Sequence, residues 1–357
     1  MAFHPLTVTE LRHDTRDAVV LTLEPRAEDR AVFDFKPGQY LTFRRSFEGT
    51  ELRRCYSICA GKDEGLLRVG VKRVEGGAFS TFAKEQLKPG DILEAMPPAG
   101  RFRLQPASDQ SRHFLGFAGG SGITPLLSII KSVLSSDPAS RFTLIYANRQ
   151  ISQIMFREEL EDLKNSYLER FSIVHVLESD SQDIDLFTGR IDTGKLDQLF
   201  RHWVDLSAID SAYICGPEPM MLTIADGLNR QGLKEDRIKF ELFSSDQTGR
   251  VRRRAAAEKG KAADKTCAVS LTLDGATRSF SMPRDGTAVL EAALDNAIDA
   301  PFSCRAGVCS TCRAKVLEGE FEMEVSHALE DYEIRAGYVL SCQCVPLGET
   351  LVLSYDN

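Results

Sequence analysis

The sequence predicts a multidomain protein: an antiparallel β-barrel, then an α/β domain with a parallel sheet, then a small β-grasp domain. Short alternating strands fill residues 1 to about 105, and strands alternate with helices over residues 110–245. Four cysteines then cluster towards the C-terminus. We therefore place domains at 1–107, 108–245 and 266–357, with 246–265 as a linker.

The first domain is predicted from period-two alternation punctuated by Gly and Pro, which is typical of small antiparallel barrels. A helix is predicted at Phe82–Leu87. The expected strands are Leu6–Leu11, Ala18–Leu23, Gln39–Phe43, Cys55–Cys59 and Leu67–Val71.

The second domain is predicted from strands that alternate with helices, which implies a parallel sheet covered by helices. Its expected strands are His113–Ala118, Phe142–Tyr146, Phe171–Leu177, Ala212–Cys215 and Ile238–Phe243. Its expected helices are Pro125–Leu134, Met155–Leu163 and Met220–Leu228.

The segment from Asp246 to Asp264 is polar and basic and holds few large apolar residues, as in Gly249–Arg254. This composition indicates a solvated tether. A basic docking patch for an acidic partner is the functional alternative, and both descriptions can hold.

The third domain carries Cys304, Cys309, Cys312 and Cys342, spaced C-x4-C-x2-C with a distant fourth cysteine. This is the spacing of a plant-type [2Fe–2S] cluster, and Gly307 lets the backbone wrap tightly around it. Structural zinc is the alternative, although zinc sites usually show two short cysteine pairs. Cys344 would face the other side of a strand, so we expect a packed thiol there, with a swap of the fourth ligand left open.

The sequence around these cysteines predicts a β-grasp module. Val269–Leu273 and Phe280–Met282 alternate on either side of an Asp274-Gly275 turn, which indicates a hairpin. Ala288–Ile298 has helical periodicity, and Arg313–Met323 and Thr350–Tyr355 are expected strands.

The composition excludes several classes of protein. Of the 357 residues, 43% are hydrophobic and 27% charged, which is ordinary for a globular protein. The net charge of −8 argues against nucleic-acid binding. The sequence has no apolar run of membrane-spanning length and no signal peptide, so we expect a cytoplasmic protein without a membrane partner.

Two motifs in the first domain predict a flavin site. On a barrel strand, Tyr56 can stack on a flat ring, Arg54 can pair with a phosphate, and Ser57 can hydrogen-bond to the ring. Gly77, Phe79 and Ser80 then open a helix whose start suits a pyrophosphate. A plain strand and a plain helix cap are the alternatives. Two further residues, Val71 and Lys72, are also assigned to cofactor binding.

Two loops in the second domain predict a nicotinamide site. Gly119–Pro125 follows an apolar strand and opens a helix, so we assign Gly120, Gly122 and Thr124 to the coenzyme. The segment lacks the third glycine of a G-x-G-x-x-G motif. Cys215, Gly216 and Pro217 end another strand, where open α/β sheets place ligands; a packed thiol is the alternative for Cys215.

Arg149 ends the second parallel strand, where a cation can meet a ribose 2′-phosphate, and no acidic residue stands at that strand end. This favours NADPH. The alternative is a solvated surface arginine.

The order of these motifs resembles the ferredoxin–NADP⁺ reductase superfamily fused to a plant-type ferredoxin. The segments Phe3–Val8, Glu51–Cys59 and Ala336–Gln343 make the chain look like the reductase components of bacterial phenylacetyl-CoA epoxidases. The resemblance implies FAD rather than FMN, NADPH as donor and a multi-subunit di-iron oxygenase as acceptor. It also implies that Glu241 and Phe243 lie near the flavin, and we group Glu241 with Ser57 and Cys215 as catalytic candidates.

These inferences predict an NADPH-dependent reductase that passes electrons from NADPH to FAD, to the [2Fe–2S] cluster and to the oxygenase. Two alternatives stay open. One is the reductase of another oxygenase system, such as a ring-hydroxylating dioxygenase. The other is a redox-sensing flavin and iron–sulfur protein without turnover.

Overall fold

The computed structural model describes residues 2–105, 111–243, 266–323, 325–326, 328–329 and 331–356. The chain forms two compact units, one from Ala2 to Phe243 and one that holds the described residues from Thr266 onwards. The predicted linker at 246–265 lies outside the described residues.

The first sheet of the first unit is antiparallel, with six strands in the order β4-β3-β6-β1-β2-β5. An antiparallel bridge between Ile58, just after β4, and Val69 on β5 joins the two edge strands of the sheet and closes the barrel. Alternate strand residues point inwards, with Leu21, Leu41 and Phe43 fully buried. The elements are β1 (His4–Thr15), β2 (Ala18–Pro25), β3 (Tyr40–Phe47), β4 (Thr50–Ser57), β5 (Leu67–Lys72), α1 (Ala78–Glu85) and β6 (Ile92–Ala95).

Two elements of the barrel differ from the sequence-based prediction. The helix expected at Phe82–Leu87 begins four residues earlier, at Ala78, because Gly77 serves as its N-cap. The four-residue strand β6 was not expected, since a strand this short carries little periodicity.

The second sheet of the first unit is parallel, with five strands in the order β11-β10-β7-β8-β9. One face packs on helices α2 and α3 around Phe114 and Tyr146, and the other packs on α4 and α5 around Phe117 and Ile145. The strands are β7 (His113–Gly119), β8 (Arg141–Asn148), β9 (Phe171–Leu177), β10 (Ser211–Gly216) and β11 (Ile238–Leu242). The helices are α2 (Ile123–Ser136), α3 (Arg157–Ser166), α4 (Thr193–His202) and α5 (Glu218–Arg230).

The barrel and the parallel sheet pack closely within the first unit. A Cβ on Gly70 of the barrel would lie 2.8 Å from Cγ2 of Thr124 on α2, so a glycine is needed there. Ser128 Oγ donates to the Ala60 carbonyl at 2.7 Å, which ties α2 to the barrel.

Four charged residues also join the two domains, and we call them the interface ion cluster: Glu64, Arg68, Lys131 and Glu159. Arg68 Nη2 lies 2.6 Å from Glu159 Oε1, and Lys131 Nζ lies 2.6 Å from Glu64 Oε1. Lys131 also pairs with Glu159. Arg68 and Glu64 belong to the barrel, whereas Lys131 and Glu159 lie on α2 and α3.

The second unit contains a five-stranded sheet in the order β13-β12-β16-β14-β15. Strands β12 and β16 are parallel and the other pairs are antiparallel. The predicted Asp274-Gly275 turn has φ values of 51° and 75°, as a two-residue hairpin requires. The elements are β12 (Thr266–Leu273), β13 (Ala276–Pro283), α6 (Val289–Asp295), β14 (Arg313–Met323), α7 (Asp331–Arg335), β15 (Tyr338–Leu340) and β16 (Cys344–Ser354).

The predicted fold class is confirmed: an antiparallel barrel, a parallel-sheet domain and a ferredoxin-like β domain. Within the described part of the chain, no helix is both long and apolar enough to cross a membrane.

Candidate functional site

The β3–β4 hairpin builds an aromatic face beside helix α1. Tyr56 pairs with Leu41 and Arg54 pairs with Phe43, so their side chains share the face that α1 covers. The rings of Tyr56 and Phe79 lie 5.4 Å apart at an interplanar angle of 32°. Burial raises the pKa of Tyr56, so its hydroxyl stays neutral. This neutral ring can stack on a flat heteroaromatic ligand.

The N-terminus of α1 provides backbone donors beside this face. Gly77 caps the helix without a side-chain hydrogen bond, so the first-turn N–H groups have no intrahelical acceptor. Ser80 does not supply its hydroxyl: the buried Oγ accepts from Val74 N at 3.1 Å and donates to Gly77 O at 3.2 Å. Ser80 therefore folds the turn, and its backbone is what remains for an anion.

Arg54 supplies a positive charge on the same hairpin face as Tyr56. Its Nη1 donates to the Arg53 carbonyl at 2.8 Å, and no acidic side chain pairs with it among the described residues. An arginine, a bare helix N-terminus and an aromatic ring together fit a flavin with a phosphate.

Val71 and Lys72 end strand β5. Val71 is buried in the barrel core, so its side chain supports the sheet. Lys72 is half-buried, and burial lowers its pKa; the charge of Asp17 opposes this shift and that of Arg149 adds to it. A Cβ on Gly120 would lie 3.7 Å from Lys72 Nζ. Lys72 therefore reaches the glycine loop of the parallel-sheet domain.

The two predicted nicotinamide loops pack directly against each other. A Cβ on Gly122 would lie only 2.1 Å from the Cys215 carbonyl oxygen, and one on Gly119 would lie 2.6 Å from Cδ of Pro217. The glycine at position 122 is thus required by the contact between the loops. Gly216 is less tightly confined, since its Cβ would lie 2.6 Å from Cε of Met220 and 3.0 Å from the Gly119 backbone.

Side chains around the glycine loop hold it in place. The Tyr146 hydroxyl donates to the Gly120 carbonyl at 2.9 Å, and Gly120 has a φ of +52°. Thr124 Oγ1 donates to the Ser121 carbonyl at 3.0 Å and is buried. The Thr124 hydroxyl therefore shapes its own turn. At the start of α2 the Ile123 N–H donates to the Gly120 and Ser121 carbonyls, and Pro125 has no N–H.

Ser57, Cys215 and Glu241 come together from the barrel and the parallel sheet. Cys215 and Glu241 are direct partners in the parallel pairing of β10 and β11. Ser57 Oγ donates to Glu241 Oε2 at 3.2 Å. Burial raises the pKa of Glu241 to about 8, although the Ser57 hydrogen bond opposes this. Burial also keeps the Cys215 thiol protonated by raising its pKa.

Phe243 follows Glu241 by two residues, immediately after β11. Its side chain is 37% exposed, so a large aromatic face is open at the end of the first unit. An exposed aromatic ring beside the three-residue cluster can cover a planar ligand.

The structure adds residues that the sequence prediction missed at the end of β8, next to Arg149. Asp180, from the segment after β9, accepts a hydrogen bond from Ile151 N at 2.7 Å. Glu178 lies on the same segment and pairs with Arg190 at 2.7 Å. We expected no acid at the end of β8, but the neighbouring strand brings two acids to the Arg149 loop.

In the second unit, Cys304, Cys309, Cys312 and Cys342 approach one another. A hydrogen bond with Cys309, together with burial, raises the pKa of Cys304, and a hydrogen bond with Cys342, together with burial, raises that of Cys312. Cys344 is buried apart from them, and its pKa rises to about 12 through burial and the proximity of Cys267.

Polar hydrogens surround these sulfur atoms. Backbone N–H groups of Cys304 and Ala306 donate to Cys309 Sγ at 3.4 Å and Cys304 Sγ at 3.3 Å. Gln343 Nε2 lies 3.5 Å from Cys342 Sγ. No three Cys, His, Asp or Glu side chains in the described ranges converge on a single ion.

Three domain families match the chain. Residues 5–104 match the oxidoreductase FAD-binding domain, 117–226 the oxidoreductase NAD-binding domain, and 271–347 the 2Fe-2S iron-sulfur cluster binding domain. Their order defines an NAD(P)H-dependent flavin and iron–sulfur oxidoreductase.

Curated relatives extend over almost the whole chain. One component of the 1,2-phenylacetyl-CoA epoxidase of Escherichia coli K12 is 41% identical over 99% of this chain and 98% of its own length. The ferredoxin reductase component of the 3-ketosteroid-9-alpha-monooxygenase of Rhodococcus rhodochrous is 35% identical over 98% and 96%. Phthalate dioxygenase reductase has the same fold, with a TM-score of 0.61, 24% identity and coverage of 99% and 98%.

The chain belongs to the family of flavin- and iron–sulfur-containing reductase components of oxygenases that includes this phenylacetyl-CoA epoxidase component. It transfers electrons from NAD(P)H through FAD and a [2Fe–2S] cluster, as the sequence predicted. The predicted FAD and cluster are thereby confirmed.

Proposed function

We propose that this protein is the reductase of a multi-subunit di-iron oxygenase that epoxidises phenylacetyl-CoA during phenylacetate degradation in the cytoplasm. The observation that carries the proposal is the 41% identity to a phenylacetyl-CoA epoxidase component over nearly the full length of both chains. FAD, when bound, accepts a hydride and releases its two electrons one at a time. The residues below bind, orient and shield the cofactors.

In the flavin-binding site, Tyr56 stacks on the flavin ring. Arg54 and the N-terminus of α1 bind the phosphates. Ser57, Cys215 and Glu241 line the place where flavin and nicotinamide meet. The proposal is supported by the 3.2 Å hydrogen bond from Ser57 to Glu241 and by the register partnership of Cys215 and Glu241. A protonated Glu241 avoids a buried negative charge there and can donate a hydrogen bond.

In the nicotinamide-coenzyme site, the N-terminus of α2 and the Gly120–Gly122 segment bind the coenzyme pyrophosphate. Gly216 and Pro217 hold the second loop against the first, and Phe243 covers the flavin. Lys72 adds a positive charge at Gly120, which is supported by its position 3.7 Å from a Cβ on that residue.

We propose NADPH as the preferred coenzyme, with Arg149 binding the 2′-phosphate. The influence of Arg149 on the pKa of Lys72 supports an anion-binding site, whereas Asp17 near Lys72 and Asp180 on the Arg149 loop oppose it. An Arg149→Ala substitution should raise the KM for NADPH about ten- to a hundredfold and leave the KM for NADH nearly unchanged. Arg201→Ala on α4, which packs on the other sheet face, is the control. Wild-type protein that uses NADH at least as well as NADPH would contradict the preference.

In the [2Fe–2S] cluster site, iron is bound by Cys304, Cys309, Cys312 and Cys342. Cys344 does not bind iron. The matched pair Cys342→Ser and Cys344→Ser tests this by iron and sulfide analysis. Cys342→Ser should lose the cluster and Cys344→Ser should keep it; the reverse result would make Cys344 the fourth ligand.

Reconstituted turnover tests the acceptor. The purified protein, NADPH and a phenylacetyl-CoA oxygenase should yield the epoxide, and Cys342→Ser should abolish product while Cys344→Ser retains it. The identity to a 3-ketosteroid monooxygenase reductase makes another oxygenase the second candidate. Product formation only with a ring-hydroxylating oxygenase would favour that candidate. NADPH oxidation without transfer to either oxygenase would contradict both.

A further inference from the structure

Arg45 lies on the β3–β4 hairpin, which forms the proposed flavin-binding site, and its positive charge has no polar partner among the described residues. Its guanidinium carbon lies 3.7 Å from the centroid of the Phe82 ring and 5.8 Å from that of Phe47. No hydrogen bond or ion pair involves Arg45 in the described part of the chain. The two rings fix the plane of the guanidinium and leave its N–H donors available.

The neighbouring cation on the same strand is used differently. Arg44 makes two hydrogen bonds to Glu94, at 2.9 and 3.0 Å, and stacks on Phe3. Because side chains alternate along a strand, Arg44 points to the opposite face from Arg45. The acid partners of this hairpin therefore lie on the Arg44 face.

Arg45 and Arg54 share the other face. Arg45 pairs with Leu52 and Arg54 pairs with Phe43, so the two arginines occupy diagonal positions on adjacent strands. Such positions are about 7–8 Å apart at the backbone, within reach of one ligand for two long side chains. Helix α1 covers this face with Phe79 beside Tyr56 and Phe82 beside Arg45.

The order along this face matches the two halves of FAD. Tyr56 lies at one end, Arg54 is next to it, and Arg45 lies farther from Tyr56. FMN carries a single phosphate on the flavin side, whereas FAD adds a second phosphate and an adenosine. A ring stacked on Tyr56 brings the flavin-side phosphate to Arg54, and the next phosphate lies towards Arg45.

We propose that Arg45 binds the adenosine-side phosphate of FAD and thereby makes the site select FAD over FMN. The inference rests on the proposed flavin-binding site at Tyr56 and Arg54. A guanidinium suits this role because it binds phosphate with two parallel hydrogen bonds.

Equilibrium binding of FAD and of FMN to flavin-free full-length protein, followed by quenching of flavin fluorescence, tests the proposal. Arg45→Gln should weaken FAD about ten- to a hundredfold and leave FMN unchanged. Arg54→Gln should weaken both flavins, and Arg44→Gln should alter neither. Thermal melts of the flavin-free variants check that each is folded, and Arg45→Lys should restore part of the FAD affinity.

An Arg45→Gln protein that is folded and binds FAD as tightly as wild type would overturn the inference. Equal weakening of both flavins by this substitution would also overturn it. A different result would contradict the proposed flavin-binding site itself: an Arg54→Gln protein whose affinities for FAD and FMN are both unchanged.

Discussion

Glu159 of the interface ion cluster gives the sharpest stability prediction. Its carboxylate joins Arg68 of the barrel and Lys131 of α2. Burial would raise its pKa, but the attraction of Lys131 and Arg68 outweighs burial and holds the pKa below its usual value. The substitution Glu159→Ala removes one partner of a buried group of charges.

The expected loss follows from how deeply the remaining charges lie. The Lys131 side chain is only 7% exposed, and removal of one partner from a buried pair costs about 3–5 kcal/mol. Glu64 remains 2.6 Å from Lys131, and Glu159 itself is 23% exposed. We therefore expect a loss of about 2–3 kcal/mol, below the full value.

Urea unfolding measured by the fluorescence of Trp203 reports this loss. Trp203 is the single tryptophan of the chain and packs edge-to-face against Phe187 in the parallel-sheet domain. The matched control is Glu161→Ala on the same helix, where the pair with Arg157 is about half exposed on both sides. The control should lose only about 0.3–0.5 kcal/mol.

The sign of the pH dependence follows from the lowered pKa. The stabilisation by Glu159 should be present above the carboxyl pKa of the unfolded chain and should disappear as the pH falls through the folded value. The difference between wild type and Glu159→Ala should therefore shrink in acid. Equal losses for Glu159→Ala and Glu161→Ala at neutral pH would refute the reasoning.

Two further predictions concern the place where we propose that flavin and nicotinamide meet. Gly122→Ala should lower the free energy of unfolding by about 1–3 kcal/mol, because its Cβ would lie 2.1 Å from the Cys215 carbonyl oxygen. In thermal melts Gly194→Ala should be harmless, since its nearest atom lies at 3.7 Å, and an unaffected Gly122→Ala protein would contradict the close contact. Wild type should show a change in the rate of flavin reduction by NADPH near pH 8 that is missing in Glu241→Gln, because burial raises the pKa of Glu241 to about 8. Protonated Glu241 stabilises the fold fully below the usual carboxyl pKa, and this stabilisation is lost as the pH rises through about 8. An identical pH profile of the flavin-reduction rate in both proteins would contradict the assignment.

The site residues proposed from the sequence are those for which local chemistry carries a signal. The glycine loops, the Arg54–Ser57 strand and the cysteine spacing each carry a signal within a few residues. The pairing of Ser57 with Glu241 has no such signal, because it depends on how the barrel docks on the parallel sheet. Only the family resemblance indicated Glu241.

Other differences have equally local physical causes. Ser80 matched a phosphate-binding pattern, but its hydroxyl is consumed by Val74 and Gly77. Asp180 reaches the Arg149 loop because β8 and β9 run in parallel and end together. Helix α4 was missed although Asp192 caps it through Lys195 N at 2.8 Å and Leu196 and Leu199 are buried, which is a readable signal.

The division of the Ser57, Cys215 and Glu241 cluster between barrel and parallel sheet limits how the chain can be recombined. A chimera that takes its barrel from one homologue and its parallel-sheet domain from another must preserve complementary docking at Gly70, Thr124 and the interface ion cluster. Exchange of residues 2–243 as one block keeps these contacts intact. For protein engineering, the transferable part is therefore the complete first unit, and a splice between its two sheets separates Ser57 from Cys215 and Glu241.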